Sequence, residues 1–244
     1  MRNISLSEKQ SKFAREVGSV VLGVLIALGI GEVAEAARWK VRINSSMAAM
    51  RAELGGNRWN LAERRAYQGC VEKRLKDIGQ VLRDARKTGT LPDLREVGRP
   101  GLRLNESAAF EVAKSEGILL HMNRKQARDI SAVYGGMDTY RSLADEEQSS
   151  WRPLQLLQGA PGPISDDLLT DILQAWATAS DQSRLMGLVV PQQDDELGRL
   201  GFAVEYVAEE PNRGALTKSA RSRKICQPMI VDGKPLSRMA SAQS

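Results

Sequence analysis

Aromatic side chains make up only 5 % of this chain of 244 residues. Sheet sandwiches and barrels lean on aromatic and β-branched pairs to fill their faces, so this scarcity counts against them. Histidine occurs once, at His121. No cysteine or second histidine stands at ligand spacing from it, which excludes the common zinc sets, and a hydrolytic triad built on it would need partners from distant segments. The nucleophile elbow G-x-S-x-G, the phosphate loop, G-x-G-x-x-G and H-E-x-x-H are all missing. The chain therefore reads as a non-enzyme with no cofactor and no metal, and no small-molecule ligand can be inferred. Blocks of one charge sign are missing too. Lys and Arg number 35 against 30 Asp and Glu, a formal +5, but the signs interleave and no basic block carries aromatics. No nucleic-acid partner is expected.

What is present is one greasy stretch near the start. Val17 to Gly31 holds fifteen residues without a charge, nine of them Val, Leu or Ile. As a helix it covers about 22 Å, and extension to Ala37 reaches about 31 Å, the thickness of a hydrocarbon core. Glu32 and Glu35 then lie in the last third, with Arg38 and Trp39 at the membrane edge. Nine aliphatics favour insertion by about 3–5 kcal/mol against a cost of about 3 for a central charge, less near the edge, so the balance permits insertion by a small margin. The expected order is a basic arm over 1–16, a transmembrane helix over 17–37, a helical body over 38–232 and a flexible tail over 233–244. Ser19, Gly23, Ala27 and Gly31, each four apart, put small side chains on one face, the spacing that lets membrane helices approach closely. They are the candidate interface of a homodimer through the span, with membrane lipid as the other partner. The same stretch also fits a signal peptide cut after Ala34-Glu35-Ala36, which would release a soluble periplasmic binding protein.

Three runs carry a resemblance: Glu16-Val17-Gly18 with "VVLGVLIAL" (Val20 to Leu28), the helix ending "MRAEL" (Met50 to Leu54), and "AFEVAKSEGILLHMNRKQARDISAVYGGMDTY" (Ala109 to Tyr140). Together they resemble a group of uncharacterised bacterial single-span envelope proteins with a G-x-L-I-A-L membrane helix and a helical body. The resemblance implies a retained anchor in the inner membrane and implies no activity. Glu32 and Glu35 depart from the polar amides common there.

Positive residues on both sides of the span leave its orientation open. The two cysteines, Cys70 and Cys226, match one possible disulfide in an oxidising compartment and favour a periplasmic body.

The fold class is mainly α: the membrane helix continues into a juxtamembrane helix and a helical bundle follows. Trp39, Ile43, Met47, Met50 and Leu54 form a stripe expected to pack on the body until Gly55-Gly56 ends the helix. Val71, Leu75, Ile78, Leu82 and Ala85 mark the buried face of a second helix, whose Lys73, Arg74 and Lys76 read as its solvated side. A longer helix is expected to start near Asn123 and to carry an apolar set of Ile130, Val133, Tyr134, Met137, Tyr140 and Leu143; Ser165 is an expected N-cap, and Pro191 is expected to open a further helix. The pairs Asp166/Asp167, Asp194/Asp195 and Glu209/Glu210 read as helix-start and surface residues.

Overall fold

A computed structural model describes residues 8–94, 96–158 and 161–237; part of the basic arm (1–7) and part of the tail (238–244) lie outside them. The chain is mainly helical, with α1 (Glu8–Thr88), α2 (Ala108–Ser115), α3 (Ile118–His121), α4 (Arg124–Leu154), α5 (Asp166–Arg199) and α6 (Arg213–Ser222). Two antiparallel clips accompany them: β1 (Thr90–Leu91) with β2 (Gly162–Pro163), and β3 (Ile230–Val231) with β4 (Lys234–Pro235), so that β4 lies inside the segment expected to be flexible and pairs with the end of the body.

α1 runs unbroken for 81 residues, so the expected stop at Gly55-Gly56 is corrected. Two helical glycines cost about 1 kcal/mol each, but a bare Cα here admits a neighbour. The segment after α5 lies against Gly55, where the Glu205 amide donates to the Gly55 carbonyl at 3.1 Å and the Glu205 side chain occupies the place of a Cβ. Tertiary contact outweighs local preference. The helix ends instead at Gly89, whose φ of +68° closes the last turn.

Around α1 the bundle is up, up, down. Glu53 meets Tyr134 and Arg64 meets Glu147, so α4 runs parallel to α1. Leu75 meets Trp176, Gln68 meets Ser183 and Arg58 meets Asp194, so α5 runs antiparallel. α4 starts where expected, with Asn123 capping it through Lys125, and Ser165 caps α5 through Leu168, as expected. Pro191 does not open a helix; it lies inside α5. The proline removes one helical hydrogen bond and costs about 3 kcal/mol in isolation. Val190 and Leu197, both buried, hold the helix together across it.

Two apolar clusters fill the bundle. The first gathers Met50, Leu54, Ile118, Tyr134 and Met186, with Trp39, Ile43 and Met47 packed on its side. The early stripe thus seats on its own domain, as expected. The second gathers Val71, Leu75, Ile78, Trp151 and Ile172 beside a disulfide joining Cys70 to Cys226. In this cluster Trp176 lies over Gly79, where an added Cβ would stand 2.7 Å from the ring. The indole cannot swing aside without losing its 2.8 Å hydrogen bond to the Leu75 carbonyl. Gly79→Ala is therefore expected to destabilise by about 1–2 kcal/mol, the clash exceeding the gain in helix propensity. Urea denaturation of the two proteins measures it, and an unchanged or raised midpoint would refute the contact argument.

Candidate functional site

The exit of the apolar segment is built from α1, α2 and α3. Every residue from 15 to 38 is exposed, including Val20, Leu22, Leu25, Ile26 and Leu28. Among the described residues one helix is long and apolar enough to cross a membrane: an 18-residue window of it reaches a mean hydropathy of 2.2, and none of that window is buried. A core helix of equal greasiness would be covered by its own protein. Among its small residues, Gly23 and Gly31 have open space where a Cβ would go, Ala27 is exposed, and the Ser19 hydroxyl donates back to the Glu16 carbonyl.

Among the described side chains of α1, Trp39 is the first to gain cover. α2 descends along α1 from Glu53, whose carboxylate accepts from the Ala109 amide, to Arg42, which pairs with Glu116 at 3.5 Å. Gly117, at φ +71°, then reverses the chain into the single turn of α3. His121 at its end stacks on Trp39, ring centroids 3.6 Å apart and planes 14° from parallel, and the Arg42 guanidinium sits 4.8 Å from the Trp39 ring. Leu119 faces the first cluster, while Leu120 points away from it and is 87 % exposed. Glu32 and Glu35 line a shallow cleft of about 530 Å³ beside Trp39 and His121. Arg38 does not pair with Glu35; its Nε donates to the Ala34 carbonyl at 3.3 Å. Arg38 apart, the span-edge residues Glu32, Glu35 and Trp39 are thus brought together beside His121 of α3, an element the chain's pattern did not announce. Its one signal was Leu119-Leu120 following Gly117, a greasy pair too short for any periodicity.

Deeper in the body lies a charged network that periodicity also hid. Arg64 Nη2 donates to Glu147 Oε1 at 2.7 Å, both side chains 3 % exposed, and the Arg64 guanidinium stands 5.1 Å from the Tyr67 ring. Arg64 Nε and Nη1 have no hydrogen-bond partner among the described residues. Burial raises the Glu147 carboxyl above its ordinary range, and Arg64 pulls it back. One residue earlier, buried Glu63 accepts from Arg103 at 3.0 Å and from Arg223, tying the loop before α2 and the C-terminal segment to α1. Arg74, expected on the solvated side, is buried and donates to the carbonyls of Glu96, Val97, Lys224 and Gln227. Desolvation lowers its pKa. Glu210, expected at the surface, is buried as well. These contacts tie distant segments of the chain to α1. Among the described residues no group of three His, Cys, Asp or Glu stands together as a metal site. No family model, curated protein or solved structure matches this chain.

Proposed function

We propose that this protein is a single-span inner-membrane anchor that holds a helical body against the periplasmic face of the bilayer, as an interaction or scaffold element. The observation that carries the reading is the wholly uncovered apolar segment running without a joint into the central helix of the bundle. The Cys70–Cys226 bridge supports the oxidising side.

α3 supports the reading from the body's side. Trp39 lies two residues past Ala37, about 3 Å along the helix axis, so α3 stands at headgroup level. There Trp39 acts as a belt aromatic, and Leu120 enters the acyl boundary as a foot, worth at most about 1.5–3 kcal/mol. That is too little to bind alone and enough to orient a tethered body. Ser19, Gly23, Ala27 and Gly31 remain free in this arrangement to pair with a second copy.

Alkaline washing of membranes is expected to leave the chain in the pellet at full mass. A soluble chain beginning at residue 37 would instead establish the cleaved form, since every described side chain that a cut there removes is exposed. A fluorophore on Leu120→Cys, the native cysteines being bonded, is expected to be quenched by lipid-borne quenchers in nanodiscs, while the same label on Leu188→Cys is not. An unquenched Leu120 label on a properly inserted chain would remove the foot and keep the anchor. Leu at both Gly23 and Ala27 is expected to weaken span association; an unchanged dimer fraction would discard that face.

A further inference from the structure

We propose that the cavity between α1, the segment after α5, and α6 is a binding site for the oxyanion group of a soluble ligand, a phosphate or a carboxylate. It encloses about 440 Å³, within the range of small-molecule sites. Four arginines line it: Arg58 and Arg65 from α1, seven apart on one face, and Arg213 and Arg221 from α6, eight apart on one face. Asp194 is the one carboxylate lining it among the described residues. Four guanidinium groups against one carboxylate leave a formal excess of three positive charges.

The four are not equivalent. Arg58 is spent on the fold: its Nε donates to Asp194 Oδ1 at 2.6 Å, its Nη1 donates to the Phe202 carbonyl, and Gly198 leaves room for its other nitrogen. Arg65 holds the second Asp194 oxygen at a looser 3.4 Å. Arg213 and Arg221 have no ion pair or side-chain hydrogen bond among the described residues. Their planar forks are the geometry that takes an oxyanion by two parallel hydrogen bonds. Ala62, Ala66, Val204 and Leu216 supply apolar wall, which lowers the local dielectric and strengthens attraction for an anion, and Tyr206 adds a phenolic hydroxyl. Asp194 anchors the two α1 arginines and so leaves the two on α6 for the ligand.

Position restricts the source. Arg58 lies twenty-one residues beyond Ala37 on the same helix, about 30 Å along the axis, so a lipid headgroup in the bilayer cannot reach the cavity. The ligand must come from solution. The site does not depend on the membrane reading; only the exclusion of a lipid source rests on it.

The test uses the full chain in detergent, titrated separately with inorganic phosphate and with citrate, at ionic strength held constant with potassium chloride, and followed by thermal unfolding. Phosphate, citrate or both are expected to raise the midpoint, and which one does names the group. Alanine at both Arg213 and Arg221, exposed residues that hold no other element, is expected to keep the unliganded midpoint and to weaken the anion's apparent Kd at least about tenfold. No shift with either anion beyond that of chloride would overturn the proposal, as would an equal shift in the double variant.

Discussion

Replacing both Cys70 and Cys226 with Ser is expected to lower the stability of the body by about 5 kcal/mol. The bridge joins residues 156 apart, and closing so long a loop removes that much entropy from the unfolded chain. Residual structure in the unfolded chain would lower the figure. The loss has a place as well as a size. Cys226 sits between Lys224 and Gln227, whose carbonyls take the two hydrogen bonds of Arg74 Nη2, so the C-terminal segment is held on α1 by a covalent bond and a buried cation side by side. Without the covalent bond those carbonyls must keep a desolvated guanidinium unaided. Urea denaturation of the serine variant and of the native chain with and without reductant measures the effect. Reductant should reproduce the substitution in the native chain and do nothing to the variant. A shared midpoint in all four samples would show that the bridge adds no stability.

Arg64→Met is expected to cost about 3–5 kcal/mol at neutral pH, because it leaves the Glu147 carboxylate buried without its counter-charge. Acid should shrink the deficit, and the sign follows from the direction of the shift. Burial raises the Glu147 carboxyl, and Arg64 is the opposing pull. A carboxyl raised on folding stabilises the fold fully below its unfolded range and loses that contribution as pH rises through its folded value. Removing Arg64 raises it further, so the variant is penalised at neutral pH and relieved as the carboxyl takes a proton. The gap to the native protein should therefore narrow from pH 7 towards about pH 5. Joint replacement, Arg64→Met with Glu147→Leu, should restore most of the stability at neutral pH, since neither buried charge remains. A deficit that stays constant with pH would mean that lost packing, and not the stranded carboxylate, sets the cost.

Helical stripes were legible wherever burial was one-sided. Val71, Leu75, Ile78, Leu82 and Ala85 in α1, and Ile130, Val133, Tyr134, Met137 and Tyr140 in α4, lie inside at the spacing that a single apolar face requires. The cap at Ser165 and the helix start near Asn123 were legible because a helix start is a local event. Gly55 and Pro191 misled for the opposite reason: what holds α1 through Gly55 is a segment some 150 residues further on, and no local preference reports it. Arg64, Arg74 and Glu147 were hidden because a charged residue at helical spacing looks the same whether it meets water or a partner on another helix. The cavity arginines share that difficulty. Arg58 and Arg65 stand far from Arg213 and Arg221 along the chain, and only the antiparallel return after α5 makes them neighbours.

α1 leaves the apolar segment and traverses the whole bundle as one piece, with no joint between them. It behaves as a mast. From residue 38 to residue 88 it rises about 75 Å, so leaning it by about 20°, an ordinary tilt for a spanning helix, sweeps its far tip sideways by about 25 Å. In the proposed membrane setting, small rotations at the base thus become large displacements at the tip.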